Sequence, residues 1–467
     1  MGRIWCVGML LAVSALATVA GLAQGDDLKP AEGKLSGTIA ERYAAIVAEY
    51  EGARKGASIE AEKAKTQFES SKIFAKLMPD EATFSRRMVD LAATDPKEPA
   101  ARDALLWVLD KPGMGPGGPY DDEFARAVLL MLRYHSDSPE VARIGLQLDN
   151  YPTATRDLFL EGVYVRAEGR EARGLARMAL AKYLEAKAKH CEAFRKAKGP
   201  PQSKMKYQSY DDDGKLVDKE ADLPAEDRAY QLNQRMSDPE AIRAEVRRLL
   251  DEVIKDYGDV PYVTRHYRKL EAVLKQPEPA LDGYLLKPEE RQQIERRVAR
   301  KQSLADVARA KLDEMANLVV GRPAPDIDAP GMDGRPLRLA DYRGKVVVLV
   351  FWGTWCGPCM REVPHERELA ERLKDRPFAL LGVDCDDDKN AAMKVMKDER
   401  ITWPNWNDGA PGEGPIVKSY HVQHFPTTYV LDSQGIIRHI GPIGSGLDQA
   451  VDALLKEQEE KGKPAPG

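Results

Sequence analysis

Hydrophobic positions recur at helical spacing through most of the first 320 residues. The same spacing predicts helices at 101–109, 123–133, 139–148, 171–198 and 239–257. In the last of these, the apolar residues fall on one side of the helix: Ala241, Ile242, Val246, Leu249, Leu250, Val253 and Ile254. Ser138 and Asp238 each precede a proline, as helix N-caps often do. The pattern therefore predicts a mostly α-helical region over 24–320, as one domain or two.

A polar, proline-containing stretch interrupts this pattern at 199–228. It contains Tyr-Asp-Asp-Asp-Gly at 210–214 and shows no helical periodicity. We expect a long loop or an insertion there. The helical segments share no fixed period, so no repeat family is predicted.

The pattern changes at Gly321, where apolar and β-branched runs begin to alternate with helical stretches. Strands are predicted near 337–339 and at 345–351, 378–384, 427–431 and 436–440. Helices are predicted at 358–374, 390–399 and 447–460. Such alternation gives parallel strand pairs joined by helical crossovers. Residues 321–460 therefore predict an α/β domain, followed by a flexible tail at 461–467.

The charge balance argues against one class of partner. The 467 residues include 70 basic and 75 acidic side chains, a formal net charge of −5, and the basic residues are scattered. This distribution offers no positive surface for a phosphate backbone, so we expect no nucleic-acid partner.

The first 23 residues have the composition of an export signal. Arg3 precedes a short apolar stretch at 7–19, and small residues follow at 21–23. The apolar stretch is shorter than the roughly 20 residues that a membrane-spanning helix needs. We expect cleavage near Ala23, a periplasmic mature protein and no stable membrane span; the alternative is an uncleaved membrane anchor.

Two of the five cysteines, Cys356 and Cys359, form a Cys-Gly-Pro-Cys motif between a predicted strand and a predicted helix. The unpaired N–H groups and the positive dipole end of that helix favour a thiolate, which lowers the pKa of Cys356. A structural zinc site would need four ligands, usually from a second cysteine pair, and the sequence has none. We therefore expect a redox pair with no metal and no cofactor. Cys191 and Cys385 have no assigned role.

Three motifs resemble the TlpA-like thiol-disulfide oxidoreductases, whose domain has the thioredoxin fold. They are Phe-Trp-Gly-Thr-Trp-Cys-Gly-Pro-Cys at 351–359, the continuation Met-Arg-Glu-Val-Pro at 360–364, and Phe-Pro-Thr-Thr at 425–428. The resemblance covers 322–460 and says nothing of 24–320. It implies a thioredoxin-like α/β fold and thiol-disulfide exchange in an exported protein.

The resemblance also implies roles for individual residues. Cys356, at the exposed start of the helix, should attack a client disulfide, and the more buried Cys359 should resolve the mixed disulfide. Pro426 should be cis and should lie against the two cysteines. The expected client-binding residues flank the cysteines or belong to the cis-proline loop: Trp355, Gly357, Pro358, Phe425, Pro426 and Thr427.

Glu362 is the candidate proton-handling residue. It follows Cys359 by three residues and Cys356 by six, so its carboxylate can point back along the helix towards the sulfurs. The resemblance implies that this carboxylate tunes cysteine ionisation and accepts a proton during resolution. The alternative is a solvated surface glutamate. The aspartates at 386–388 are expected to form a solvated loop or the entry to a helix.

These features predict an exported thiol-disulfide oxidoreductase. Gly-Pro between the cysteines resembles the reducing thioredoxins, which favours a reductase whose partners are client proteins and a membrane thiol-transfer electron donor. One alternative is a helical scaffold or binding protein of the cell envelope with an accessory redox domain. A minor alternative is a thiol peroxidase, although Thr354 lies two residues before Cys356, where peroxiredoxins place the threonine three before, and Leu349 occupies their proline position.

Overall fold

The computed structural model describes residues 37–63, 73–74, 76–110, 121–148, 152–196, 204–210, 216–222, 225–276, 280–281, 284–286, 288–299, 302–412 and 414–461. The predicted signal at 1–23 and residues 462–467 of the predicted tail lie outside the described residues. The chain divides into two compact units, Met1–Ala308 and Arg309–Gly467. This division falls before the change of pattern at Gly321.

The first unit is mostly helical, as predicted. Its helices are α1 (Ile39–Glu62), α2 (Glu81–Thr94), α3 (Pro99–Leu109), α4 (Asp121–Tyr134), α5 (Pro139–Gly145), α6 (Ala154–Arg166), α7 (Arg170–Lys196), α8 (Ala225–Met236), α9 (Pro239–Tyr257), α10 (Arg265–Leu274) and α11 (Pro288–Ala299), and α12 (Leu304–Asn317) crosses the division between the units. The N-caps Ser138 and Asp238 accept hydrogen bonds from Glu140 N and Glu240 N. These caps fix where α5 and α9 begin.

Helix α7 is central to this unit and packs against α5, α6, α8 and α9. The apolar stripe predicted on α9 is buried at Val246, Leu249, Leu250 and Val253. Helical spacing therefore identified the packed face correctly, because a 3.6-residue period brings these side chains to one side of the helix.

A loop over 199–228 is wrong for the described residues of this stretch, whereas the alternative, an insertion, stays a prediction. Lys204–Tyr210 (β1) and Leu216–Asp222 (β2) form an antiparallel hairpin with Lys204 opposite Asp222 and Tyr210 opposite Leu216. Strand β1 has the period-two order expected of a β-ribbon, because Met205 and Tyr207 alternate with lysines. The polar, proline-containing composition of the stretch and its Tyr-Asp-Asp-Asp-Gly run had favoured a loop. A second short hairpin pairs β3 (Ala280–Leu281) with β4 (Tyr284–Leu285).

The second unit is built on a five-stranded mixed sheet in the order β11-β10-β7-β8-β9. Its strands are β7 (Val346–Trp352), β8 (Phe378–Asp384), β9 (Asn405–Asn407), β10 (Thr427–Leu431) and β11 (Ile437–Ile440). The β7–β8 and β8–β9 pairs are parallel, whereas β10 pairs antiparallel with β7 and β11. This is the predicted crossover arrangement ending in a hairpin. A short ribbon of β5 (Asp328–Pro330) and β6 (Pro336–Arg338) precedes the sheet.

The described part of this unit also contains a short 3-10 helix (Leu339–Tyr342) and the α-helices α13 (Gly357–Arg372), α14 (Lys389–Asp398), α15 (Pro415–Ser419) and α16 (Gly444–Lys461). Alternate residues of β7 face two different cores. Val346, Val348 and Val350 pack with both motif cysteines and with apolar residues of α13 and α16. Val347, Leu349 and Phe351 pack in the opposite core. Because both faces are covered, β7 is buried along its whole length, as in other central parallel strands.

Candidate active site

The two motif cysteines lie where the central strand passes into a helix, as predicted. Strand β7 ends at Trp352, Cys356 is the N-cap of α13, and Cys359 lies in its first turn. The sulfurs are joined in a disulfide, with the Cα atoms 5.2 Å apart. The Cys359 N–H donates to Cys356 Sγ at 3.2 Å. After reduction, the same donor and the N-terminal end of α13 would stabilise a Cys356 thiolate.

The expected difference in exposure between the cysteines is wrong for this disulfide form. Cys356 is 4% exposed and Cys359 is 3% exposed. The reason is local: both belong to the core between the sheet and helices α13 and α16. Gly357 and Pro358, between them in sequence, are exposed. The accessible part of the motif is therefore the loop around the disulfide rather than either cysteine as a whole.

The proline loop lies beside this motif. The Phe425–Pro426 peptide bond is cis, as predicted, and Thr427 begins β10 opposite Phe351. The rings of Phe425 and Trp355 meet edge to face with centroids 5.1 Å apart. The structure thus brings Trp355 and the proline loop together, although they are about 70 residues apart in sequence.

Trp355 forms an aromatic surface next to the disulfide. Its side chain is 51% exposed, yet its indole Nε1 donates to Cys385 O at 3.3 Å. A tryptophan held at its polar edge and open on its face offers a preorganised apolar contact. Phe425 is partly buried and contacts both cores of the domain.

Glu362 makes a contact that the sequence did not predict. Its Oε2 accepts a hydrogen bond from Gly444 N, the first residue of α16, at 3.0 Å, and lies 4.0 Å from His365 Nδ1. A helix N-terminus stabilises a carboxylate by its free N–H groups and its dipole. The side chain is only partly exposed, so it is not an ordinary solvated surface glutamate. Among the described residues, its polar contacts in this form are with Gly444 and His365.

Sequence reasoning missed Glu366, one helical turn beyond Glu362. It lies on the buried stripe of α13 with Cys359 and Val363, and it is 7% exposed. Burial, together with the nearby charge of Glu362, raises the pKa of Glu366 to about 8. The signal was present in the sequence, because residue i+7 from Cys359 returns to the same side of the helix.

The aspartates at the end of β8 and directly after it differ in burial and in their hydrogen-bond partners. Asp388 caps α14 by accepting from Asn390 N and Ala391 N, so the predicted helix entry is confirmed. Asp386 is not solvated: its two carboxylate oxygens accept from Thr354 N at 2.8 Å and from Thr354 Oγ1 at 2.7 Å. Asp384, the last residue of β8, is fully buried and accepts from Asn407 Nδ2 at 2.7 Å. Of these carboxyl groups, that of Asp386 supports the loop that leads into Cys356.

The two remaining cysteines of the described chain are free and buried. Cys385 lies in the core on the face of the sheet opposite the disulfide. Burial and the neighbouring aspartates raise its pKa, which disfavours a reactive thiolate. Burial likewise raises the pKa of Cys191 in the helical unit. Both are therefore packing residues.

Within the described residues, no group of three or more histidine, cysteine, aspartate or glutamate side chains is arranged to hold a metal ion. None of the helices in the part of the chain that the structure describes is both long and apolar enough to cross a bilayer.

A disulfide at the start of a helix, a central buried strand before it and a cis-proline loop beside it define a thioredoxin-like thiol-disulfide oxidoreductase. The model of the AhpC/TSA family matches residues 320–440. The thiol-disulfide oxidoreductase ResA of Bacillus thuringiensis is 33% identical over 139 residues, which cover 30% of this chain and 78% of the relative. ResA of Geobacillus kaustophilus is 35% identical over 127 residues, 27% of this chain and 71% of the relative. The chain belongs to the family of thiol-disulfide oxidoreductases that includes ResA.

One solved structure matched to this chain is that of a putative thiol:disulfide interchange protein DsbE from Chlorobium tepidum. It is 27% identical, with 29% of this chain and 98% of that chain covered and a TM-score of 0.27.

Proposed function

We propose that this protein is an exported reductase that breaks disulfide bonds of client proteins by dithiol–disulfide exchange. The observation that carries the proposal is the Cys356–Cys359 disulfide at the N-terminus of α13, beside the cis-proline loop. Export is supported by the composition of the first 23 residues, and the reducing direction by Gly-Pro between the cysteines.

The exchange has two steps. In the reduced enzyme the Cys356 thiolate attacks one sulfur of the client disulfide, a mixed disulfide forms, and the other client sulfur leaves as a thiolate. The Cys359 thiol then loses its proton and attacks Cys356 Sγ. The second client thiolate leaves, and the disulfide present in this structure forms. Two electrons pass to the client, whose sulfurs take up protons.

Glu362 is the proposed acceptor of the Cys359 proton. It lies three residues further along the same helix, and its Oε2 accepts a hydrogen bond from Gly444 N. A carboxylate in this place can take the proton as the resolving thiol attacks, and its charge opposes premature ionisation of that thiol.

The proposed client surface is formed by the exposed ring of Trp355, the adjoining Phe425 and the backbone around Pro426. An extended client segment would gain apolar contact from the rings and backbone hydrogen bonds from the loop. Gly357, Pro358 and Thr427 complete this surface.

An enzyme that reduces disulfides outside the cytoplasm needs a source of electrons there. We propose a membrane thiol-transfer protein that reduces Cys356–Cys359 after each turnover, with no organic cofactor, because the sulfurs themselves carry the electrons.

The proposal is tested by trapping. A Cys359→Ala variant of the full chain cannot resolve the mixed disulfide, so client proteins should remain attached to Cys356 and be released by dithiothreitol. The matched control is Cys356→Ala/Cys359→Ala, which should trap nothing, and Cys385→Ala should behave as the parent. Equilibration of the parent with glutathione would give its reduction potential, and a value well below that of glutathione supports the reducing direction. If no client protein is attached to Cys359→Ala, the alternative of a helical binding protein with an accessory redox domain would be favoured.

A further inference from the structure

A pair of buried carboxyl groups lies directly behind the loop that carries Cys356. Asp384 is 0% exposed and Asp386 is 8% exposed. Two aspartates that are buried this close together are costly unless one of them is neutral or both are well paired. Neither is needed to cap a helix or to hold a metal in the described structure.

The segment 384–386 is bonded to the active-site loop at four points. Cys385 N donates to Trp352 O at 2.9 Å, and Trp355 Nε1 donates to Cys385 O at 3.3 Å. Between these bonds, the Thr354 backbone and hydroxyl groups donate to the two oxygens of Asp386 at 2.8 and 2.7 Å. Asp386 is therefore the charged centre of a brace that fixes residues 352–355, immediately before Cys356.

The hydrogen bonds also show where a proton is needed. Asp384 Oδ2 accepts from Asn407 Nδ2 at 2.7 Å, whereas Asp384 Oδ1 is buried and receives no hydrogen bond. The same Asn407 Nδ2 donates to the backbone oxygen of Asp386 at 3.0 Å, so one amide ties the two buried aspartates together. A proton on Asp384 donated to Asp386 would satisfy both, and would leave Asp386 ionised to accept from Thr354.

The surroundings favour a single negative charge on this pair. Burial and the Asp386 carboxylate raise the pKa of Asp384 well above its ordinary range. Burial raises the pKa of the Cys385 thiol, which also lies close enough to Asp384, Asp386 and Asp408 for their charges to raise its pKa. Burial also raises the pKa of Asp408, and Asp387 is exposed in the same turn. Lys418 is close to Asp408. The Asp408 carboxylate accepts hydrogen bonds from Ile416 N and Val417 N.

We propose that Asp384 and Asp386 share one proton and together act as positioning residues, which hold the Thr354–Trp355 loop in place for exchange at Cys356. Loss of the shared proton puts two like charges side by side and loosens the brace. The part of this inference that concerns exchange rests on the proposed function, whereas the shared proton and the brace do not.

The test compares three variants of the full chain. Asp384→Asn replaces the protonated carboxyl by an amide that can donate to Asp386 at every pH, so it should keep the brace. Asp384→Ala removes that donor and leaves Asp386 charged and underpaired. Thr354→Val removes one donor from the other side and keeps the side-chain shape. Asp387→Asn, which removes an exposed charge from the same turn, is the matched control.

The first readout uses the disulfide form and needs no exchange activity. The indole ¹⁵N–¹H signal of Trp355, assigned with Trp355→Phe, is followed between pH 6 and 10. In the parent and in Asp387→Asn it should shift with a single proton titration on the alkaline side of neutrality, and in Asp384→Asn it should not shift. No titration in the parent, or the same titration in Asp384→Asn, would overturn the shared proton.

The second readout is the rate of exchange of the reduced protein with oxidised glutathione at pH 7. The rate of Asp384→Asn should stay within about twofold of that of the parent. The rate of Asp384→Ala should fall about tenfold, because the buried Asp386 carboxylate loses its partner. The exchange rate of Thr354→Val should fall less than that of Asp384→Ala. Equal rates in Asp384→Ala and Asp384→Asn would overturn the positioning role. Should the parent itself fail to exchange, the proposed function fails, while the indole titration still decides whether the pair exists.

Discussion

At the scale of single residues, the buried Glu366 makes the stability of the second unit depend on pH. Its pKa is about 8 in the folded protein, against an ordinary value of 4.5. The folded state therefore holds a proton that the unfolded chain releases as the pH rises above its ordinary pKa. The contribution of Glu366 to stability is complete below pH 4.5 and is lost as the pH rises through about 8.

We expect Glu366→Gln to remove this dependence, because an amide is neutral at every pH. The variant should exceed the parent in free energy of unfolding by roughly 4 kcal/mol at pH 8 and by only about 1 kcal/mol at pH 5. Urea unfolding of the full chain at the two pH values measures the difference. Glu368→Gln, on an exposed position of the same helix, is the control and should show no such trend. A constant difference between Glu366→Gln and the parent would contradict the burial argument.

Whereas Glu366 affects the stability of the fold, Glu362 should affect the reactivity of the resolving thiol, Cys359. Replacing its carboxylate by an amide in Glu362→Gln removes a negative charge near Cys359, so the pKa of the resolving thiol should fall. Resolution should nevertheless slow by at least tenfold, because the proton acceptor is lost. Thiolate absorbance against pH measures the first effect, and release of a mixed disulfide measures the second. Unchanged titration of both cysteines would count against the role, and Glu368→Gln again serves as the control.

At the scale of elements, the edge of the sheet depends on one close approach. Asn405 of β9 accepts from Trp352 Nε1 at 2.8 Å and donates to Trp403 O at 2.9 Å. A Cβ added to Gly382 of β8 would lie 1.7 Å from Asn405 Oδ1. Only glycine at 382 therefore lets the asparagine reach the tryptophan at the end of β7.

Gly382→Ala should consequently destabilise the domain by about 3 kcal/mol, through overpacking and the loss of a buried hydrogen bond. Gly446→Ala is the matched control, since its Cβ would meet nothing within 4 Å. Urea unfolding of both variants makes the comparison. Equal stability of the two would show that β9 moves away without cost.

The accuracy of the sequence predictions follows the length and chemistry of each element. Strands 378–384 and 427–431 and helix 239–257 were predicted with their observed bounds, because each strand is a clear apolar run and the helix is long enough to show its period. Strand β9 was missed, since three residues carry no period and pairing with β8 creates it. At the site, the motif identified both cysteines and the cis proline. Glu366 and Asp384 were missed because their chemistry comes from burial, which tertiary neighbours determine.

At the scale of the whole molecule, the described parts of the site all belong to the second unit, Arg309–Gly467. The disulfide, the cis-proline loop, Glu362 with its Gly444 partner and the Asp384–Asp386 pair lie within it. Helix α12 spans the division between the units, so a fragment should begin at Leu304 to keep that helix whole. We expect residues 304–467 to fold alone and to exchange with oxidised glutathione within about twofold of the full chain.

The same fragment shows what the helical unit does. Glutathione is too small to need a platform, whereas a client protein could be selected by a surface outside the redox domain. If the helical unit presents clients, the fragment carrying Cys359→Ala should trap several-fold less client protein than full-length Cys359→Ala, although both exchange equally with glutathione. Trapping from one periplasmic extract, quantified by mass spectrometry, makes the comparison. Identical clients at identical yield would show that α13, Trp355 and the proline loop suffice for recognition, and that the helices serve some purpose other than client presentation.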